Sequence, residues 1–101
     1  MKVSIITPTF NSAKTIQSNL DSIKAQSFKD YQLIVIDNNS QDETVEIIKK
    51  NNIKNIKFLI EEDLGIFDAI NKGIVNSDNE LISVLHSDDF YNNENVLKDI
   101  V

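Results

Sequence analysis

Short runs of Val, Ile and Leu alternate along the chain with longer stretches whose apolar residues recur every three or four positions. The four apolar runs are Val3 to Ile6, Leu33 to Ile36, Ile56 to Ile60 and Leu81 to Leu85, each closed by polar or turn-forming residues. Runs of this length and composition are typical of strands that are buried on both faces of a parallel sheet. We therefore predict four parallel strands.

The segments between the strands have the spacing of amphipathic helices. The residues that mark it are Ile16, Leu20 and Ile23, then Val45 and Ile48, then Ile66, Ala69, Ile70 and Ile74. Potential caps precede three helices at Ser12, at Asp42 and at Asn92 with Asn93, near which a fourth helix is expected to begin. The order βαβαβαβα predicts an α/β fold with a doubly wound, mainly parallel sheet and helices on both faces. In such folds ligands bind beyond the carboxyl ends of the strands.

The composition restricts the possible partners and chemistry. The 101 residues carry a formal net charge of −6 and include no cysteine. Net negative charge without a dense basic cluster disfavours nucleic acid as a partner. The absence of cysteine excludes thiol nucleophiles and disulfides and is compatible with a reducing cytoplasm. No apolar run has the length of a membrane-spanning helix, so we expect a soluble, cytoplasmic protein.

Polar clusters follow three of the four predicted strands. They comprise residues 7–12 after the first strand, 37–42 after the second and 86–89 after the fourth. Because the carboxyl ends of parallel strands meet at one edge of the sheet, we expect the three clusters to lie together. Turns and helix caps alone also favour Asn, Asp and Ser. No glycine-rich phosphate-binding motif is present.

The acidic pair after the fourth strand is the most specific of these signals. Adjacent Asp88 and Asp89 repel each other unless a cation lies nearby. Carboxylate oxygens suit Mg²⁺ or Mn²⁺, which are often held by one or two carboxylates together with substrate phosphates. Since successive residues of extended chain point to opposite sides, we expect Asp88 alone to bind the metal. His86 is a second candidate ligand or a general base, and the alternative for all three residues is a solvated turn.

The start of the third helix carries a further polar pair. Asp68 and Asn71 are three residues apart and so share one helical face. The alternative is an ion pair between Asp68 and Lys72 at four-residue spacing, which would contribute only a few tenths of a kcal/mol.

Together, four motifs resemble the family 2 glycosyltransferases of the GT-A fold. The motifs are residues 4–11, 36–44, 65–73 and 87–89, which stand in the family's order and span the whole chain. The resemblance implies a Rossmann-like, nucleotide-sugar-binding half in residues 1–101 and an inverting, metal-dependent transfer of a sugar to an acceptor hydroxyl. The donor is expected to be a UDP-sugar and the acceptor a glycan or a lipid-linked molecule. The acceptor-binding half, with the catalytic base, is expected beyond Val101, in a protein peripheral to the inner face of the membrane.

The resemblance also implies roles for individual residues. Those predicted to bind the nucleotide-sugar are Thr7, Pro8, Thr9, Asn11, Asp37, Asn39, Asp68, Asn71, Ser87 and Asp88. Within this set, residues 7–9 match the loop that holds base and ribose, and Asp37 matches an acidic residue that contacts the base. Asp88 matches the metal-binding Asp of the family's D-x-D motif, with Mn²⁺ or Mg²⁺ as the cofactor. His86 stands where the first Asp of that motif is usual.

Three alternatives remain open at this point. A nucleotidyltransferase would use the same metal and diphosphate chemistry, but its glycine-rich, basic first loop is absent. A signalling receiver domain would place its acidic pair after the first strand, where this chain has Thr7 and Pro8. A non-catalytic nucleotide-binding module is the third alternative.

Overall fold

Strands and helices alternate along residues 3–79 and 81–101, which a computed structural model describes. The strands are β1 (Val3–Thr9), β2 (Tyr31–Asp37), β3 (Ile56–Ile60) and β4 (Leu81–Val84). The helices are α1 (Ile16–Lys24), α2 (Thr44–Lys50), α3 (Ile66–Val75) and α4 (Val96–Ile100). All strand pairs are parallel, in the order β3-β2-β1-β4. The predicted α/β class and element order are confirmed.

Helices cover both faces of the sheet. Val3 and Ile5 of β1 belong to one apolar core, which α1, α2 and α4 complete, whereas Ile6 belongs to a second core that α3 completes through Ala69. Because consecutive residues of a strand point to opposite faces, a strand covered on both sides must be apolar at nearly every position. This explains the apolar runs of the central strands β1 and β2, which are buried throughout, whereas the edge strands β3 and β4 are only partly buried.

Strand β1 continues to Thr9, three residues beyond its predicted end, and it contains Pro8. Proline is tolerated in a strand only where its missing N–H group is not needed. The carbonyl oxygen of Ile6 accepts a hydrogen bond from the Leu85 N–H group at 2.9 Å. The backbone N–H and C=O groups of the even-numbered residues of β1 therefore point toward β4. Since β4 ends at Val84, opposite Ile6, Pro8 lies beyond the strand that would have required its N–H group.

Helix α1 begins later than its predicted cap suggests. A turn precedes it, in which the Ser12 carbonyl oxygen accepts hydrogen bonds from the N–H groups of Thr15 and Ile16 at 3.0 and 2.9 Å. The Ser12 hydroxyl does not cap the helix, because it lies 2.7 Å from the hydroxyl oxygen of Ser87. The side chain is therefore used to join two loops.

The other two predicted caps lie close to their helices. The Asp42 carboxylate accepts a hydrogen bond from the N–H group of Thr44, the first residue of α2, at 3.0 Å. The Asn93 side-chain oxygen accepts one from the N–H group of Asn95 at 2.8 Å, and α4 begins at Val96, slightly later than predicted. No helix among the described residues has both the length and the apolar character needed to cross a bilayer.

Helix α3 packs on the sheet through small residues. Ala69 and Gly73 are buried, whereas Ile66 and Ile74, which were predicted to mark the packed face, remain 47% and 48% exposed. A Cβ atom added to Gly73 would lie 2.5 Å from Cγ2 of Ile6, so the helix approaches the strand too closely for any larger residue. The predicted apolar face therefore contacts the sheet only in part.

Candidate functional site at the carboxyl edge of the sheet

A cavity of about 500 Å³ lies at the carboxyl end of β1. Strand β1 has β2 on one side and β4 on the other, so the strand order reverses there. Doubly wound folds bind their ligands in the crevice at such a reversal. The predicted residues that line the cavity are Pro8, Thr9, Asn11, His86, Ser87 and Asp88. The structure thus brings together the clusters that follow the first and fourth strands.

Five predicted residues are not among those that line the cavity, namely Thr7, Asp37, Asn39, Asp68 and Asn71. Thr7 is fully buried, and its hydroxyl oxygen has no hydrogen-bond partner in the described part of the chain. Asn39 and Asn71 are exposed to solvent. A direct contact between any of the five and a donor remains a prediction.

Asp37 is fully buried, and its carboxylate is occupied by neighbouring loops. One oxygen accepts hydrogen bonds from the hydroxyl groups of Thr9 and Ser40 at 2.6 and 2.7 Å. The other accepts a hydrogen bond from the Ser40 N–H group at 2.9 Å. Asp37 therefore fastens the end of β1, which lines the cavity, to the loop that follows β2.

Further hydrogen bonds join these two segments. The Asn11 N–H group donates to the Ser40 hydroxyl oxygen at 2.8 Å, and the Asn11 side-chain oxygen accepts from the Gln41 N–H group at 2.8 Å. Asn11 has a φ of 48°, in the left-handed region that Asn adopts more readily than most residues. The Asp42 carboxylate accepts a hydrogen bond from the Ala13 N–H group at 3.1 Å. The loop after β2 thus fixes the backbone on one side of the cavity.

The Asp68 side chain makes the ion pair with Lys72 that the alternative interpretation predicted, and one further local contact. Its carboxylate accepts a hydrogen bond from the Leu64 N–H group at 2.9 Å and lies 3.3 Å from Nζ of Lys72. The hydrogen bond from Leu64, and then the Lys72 ammonium group, lower the pKa of Asp68. These contacts account for Asp68 without a ligand.

Asp88 differs from the other acidic residues at this edge. It is exposed and lines the cavity, and its carboxylate makes no hydrogen bond or ion pair among the residues that the structure describes. Asp89 does not line the cavity, and its N–H group closes a turn by donating to the His86 carbonyl oxygen at 3.0 Å. Of the adjacent pair, only Asp88 is therefore placed to bind a ligand.

The model of the family described as "Glycosyl transferase family 2" matches residues 4–101. The chain belongs to glycosyltransferase family 2. An uncharacterized glycosyltransferase of Rickettsia prowazekii is 38% identical over 89 residues, which are 88% of this chain and 28% of that protein. The Campylobacter jejuni GalNAc(5)-diNAcBac-PP-undecaprenol β-1,3-glucosyltransferase is 32% identical over 92 residues, which are 87% of this chain and 30% of that protein.

Among solved structures, S. aureus TarS in complex with UDP-GlcNAc matches this chain with a TM-score of 0.91 and 33% identity. The match covers 99% of this chain and 30% of that chain. The fold is therefore the Rossmann-like fold of GT-A glycosyltransferases, as the resemblance implied. The chain spans about three tenths of the length of its relatives. The receiver-domain and nucleotidyltransferase alternatives find no support in these comparisons.

Several residues of this family 2 domain line the cavity although the sequence pattern predicted no binding role for them. They include Phe10, Ser12, Asn38, Asp63, Gly65 and Ile66. The side-chain oxygen of Asn38 accepts a hydrogen bond from the Asp63 N–H group at 3.0 Å, and the Asp63 carboxylate accepts one from Gly65 at 3.0 Å. A signal for Asp63 was available, because it ends an acidic run directly after β3. Phe10 is an aromatic residue inside the first polar cluster.

The cavity is acidic. Asp63 and Asp88 are among the residues that line it, together with His86, and no Lys or Arg of the described residues does so. No group of three or more His, Cys, Asp or Glu side chains in residues 3–79 and 81–101 could hold a metal ion by itself. Mg²⁺ is commonly bound by one or two carboxylates and the phosphates of a substrate. A single free carboxylate, with His86 beside it, fits a metal that is shared with a bound diphosphate.

Proposed function

We propose that this chain forms the donor-binding part of a family 2 glycosyltransferase, in which the cavity holds a UDP-sugar together with Mn²⁺ or Mg²⁺. The observation that carries the proposal is the Asp88 carboxylate, which lies free in an acidic cavity at the reversal of strand order. The complex of TarS with UDP-GlcNAc supports a UDP-sugar as the donor. Residues 1–101 would then be the nucleotide-sugar-binding part of the domain.

The charge of the cavity argues for a metal. A nucleoside diphosphate is an anion, and the carboxylates of Asp63 and Asp88 would repel it, while no cationic side chain of the described residues lines the cavity to compensate. We assign Asp88 as the protein ligand of a divalent cation, with His86 as a second candidate. When bound, such a cation supplies neutralisation of the charge that develops on the departing nucleoside diphosphate.

The remaining residues would bind and orient the donor. Phe10 is 57% exposed and lines the cavity, and an aromatic face of this kind can stack on a nucleobase. Asn11 would present polar groups from a backbone that the loop after β2 holds in place. Asp37 would act through that loop, because its carboxylate is already bonded to Thr9 and Ser40. We keep direct contact between Asp37 and the base as a prediction.

For the whole protein we propose an inverting transfer of the sugar to an acceptor hydroxyl. A general base would remove the hydroxyl proton as the bond to the sugar forms. We place the acceptor-binding part and this base outside the 101 residues, since the relatives are more than three times as long. The name of the Campylobacter jejuni relative includes an undecaprenol-linked glycan, which supports a glycan or lipid-linked acceptor. Such an acceptor fits a cytoplasmic protein that is peripheral to the inner face of the membrane.

The test is the melting temperature of the chain with UDP, with GDP, and with each nucleotide plus Mn²⁺. A ligand at about one hundred times its dissociation constant adds about 2.7 kcal/mol to the free energy of unfolding. At about 4 to 8 °C per kcal/mol, the shift is large enough to measure easily. We expect UDP to raise the melting temperature more than GDP does, and Mn²⁺ to increase the UDP shift.

Two variants make the test specific. Asp88→Asn should lose the part of the shift that depends on Mn²⁺, while Asp89→Asn, which changes the neighbouring carboxylate outside the cavity, should retain it. The absence of a shift with every nucleotide would contradict donor binding by this chain. Sugar transfer by the 101 residues alone would contradict our placement of the base.

A further inference from the structure

One face of α1 and its C-terminal turn presents three polar side chains to the segment after β4. The residues are Asn19, Ser22 and Gln26, whose spacings of three and four place them on successive turns of one helical face. Asn19 and Gln26 are fully buried. All three side chains bond to backbone groups between positions 86 and 97, and we call them the α1 polar face.

Asn19 binds the backbone on both sides of the metal-ligand candidate. Its side-chain NH₂ group donates to the carbonyl oxygen of His86 at 2.9 Å and to that of Asp89 at 3.1 Å. Ser87 and Asp88 lie between these two anchor points. A single buried amide group thus holds the short loop that carries Asp88, which lines the cavity.

The rest of the α1 polar face binds the same segment farther from the cavity. The Ser22 hydroxyl oxygen accepts a hydrogen bond from the Tyr91 N–H group at 3.0 Å. The Gln26 side chain donates to the Asn93 carbonyl oxygen at 2.6 Å and accepts from the Leu97 N–H group at 3.0 Å. Gln26 therefore makes the same kind of contact as Asn19, but at a place that does not line the cavity.

The hydrogen bonding of Asn19 is incomplete in a way that favours a functional role. Its side-chain oxygen is buried and has no partner among the described residues. An unpaired buried polar atom lowers stability, so packing alone is a poor explanation for an amide at this position. The two hydrogen bonds that the amide donates to His86 and Asp89 explain why it is retained, because they hold the loop between these residues.

We infer that Asn19 is a positioning residue for Asp88 and sets the affinity of the cavity for a metal-bound nucleoside diphosphate. The inference rests on the proposed function. Because the Asp88 carboxylate has no hydrogen-bond or ion-pair partner within residues 3–79 and 81–101, its position depends on the backbone of its loop. Replacing a residue that holds a metal ligand in position through hydrogen bonds typically changes the metal affinity by about 10- to 100-fold.

The experiment is isothermal titration of the chain with UDP, with and without saturating Mn²⁺, for wild type, Asn19→Ala and Gln26→Ala. Asn19→Ala should weaken Mn²⁺-dependent UDP binding by about 10-fold or more. Gln26→Ala removes comparable buried hydrogen bonds to the same segment and should leave this affinity within about 2-fold of wild type, since it acts away from the cavity. The fitted stoichiometry reports the folded fraction separately from the affinity, and Asn19→Ser offers a smaller perturbation if Asn19→Ala does not fold.

The outcomes separate the inference from the proposed function. Wild-type affinity in Asn19→Ala, or an equal loss in Asn19→Ala and Gln26→Ala, would overturn the positioning role while leaving donor binding intact. Failure of the wild type to bind UDP under any condition would overturn the proposed function and this inference with it. A selective loss in Asn19→Ala, confined to the titration with Mn²⁺, is the result that we expect.

Discussion

Two aspartates follow the strands on either side of β1, and the structure treats them in opposite ways. Asp37, at the end of β2, is fully buried and accepts three hydrogen bonds from Thr9 and Ser40. Asp88, after β4, is exposed and has no polar partner among the described residues. Both had been predicted to contact the donor. An acidic residue at a strand end therefore either fixes the loops around it or remains free for a ligand. The number of hydrogen bonds that its carboxylate accepts distinguishes the two cases.

The two sides of the cavity are correspondingly organised in different ways. On the Asp37 side, side chains of one loop hold the backbone of another, as Ser40 does for Asn11. On the Asp88 side, Asn19 of α1 holds the loop, and the Asp88 carboxylate makes no polar contact in the described part of the chain. Binding sites need groups that are held by their surroundings and groups that are free to bind. Asp37 is a group of the first kind, and Asp88 is a group of the second kind.

The largest expected effect follows from removing Asp37. Asp37→Ala leaves two hydroxyl groups and one N–H group without their acceptor, and should lower the free energy of unfolding by about 3 kcal/mol. The melting temperature, followed by circular dichroism at pH 7, should fall by about 10 to 20 °C. Asp88→Ala is the matched control and should change it by less than about 2 °C, because the Asp88 carboxylate makes no polar contact with the residues that the structure describes. Equal destabilisation by both variants would show that the two carboxylates do not differ in their contribution to stability.

A smaller effect, which is present near neutral pH and lost in acid, is expected at Asp42. Hydrogen bonds from the Thr44 hydroxyl, and from the N–H groups of Thr44 and Ala13, lower the pKa of Asp42. The stabilisation is therefore complete above the ordinary carboxyl pKa of about 3.9 and is lost as the pH falls through the lowered value in the folded state. Asp42→Asn should have a lower melting temperature than wild type at pH 6, by a few degrees at most.

The pH profile of this difference is the measurement. The gap between wild type and Asp42→Asn should narrow as the pH falls below about 4, because protonation removes the same interaction from the wild type. Both proteins should still lose stability in acid, since the pKa of Asp68 and that of Asp78 are also lowered in the folded chain. A constant gap between pH 6 and pH 2.5 would show that the charge of Asp42 contributes nothing.

Most of the fold followed from the sequence because burial on both faces leaves an apolar run at the central strands β1 and β2, and because the partly buried edge strands β3 and β4 are still rich in Ile and Leu. The end of β1 did not, since Pro8 signals a turn unless one knows that the neighbouring strand has already ended at Val84. The packed face of α3 was also predicted only in part. Its closest approach to the sheet is made by Gly73, and hydrophobic periodicity gives no weight to glycine.

The site was predicted as a location better than as a set of contacts. A location for Asp88 at the carboxyl edge of the sheet follows from the parallel strands and from motif position, and the structure adds that Asp88 lines the cavity there. The burial of Thr7 and of the Asp37 carboxylate depends on how loops distant in sequence fold over one another, which local pattern does not report. Asp63 was missed because the acidic residues after β3 were not grouped with the polar clusters that follow the other three strands.

Mn²⁺ titration followed by electron paramagnetic resonance shows whether Asp88 holds the metal that accompanies the donor diphosphate. Free Mn²⁺ gives a strong signal that is lost on binding, so the chain with UDP can be compared with UDP alone. We predict that wild type and Asp89→Asn deplete the signal beyond what UDP does, and that Asp88→Asn does not. Depletion by Asp88→Asn equal to that of the wild type would contradict the account.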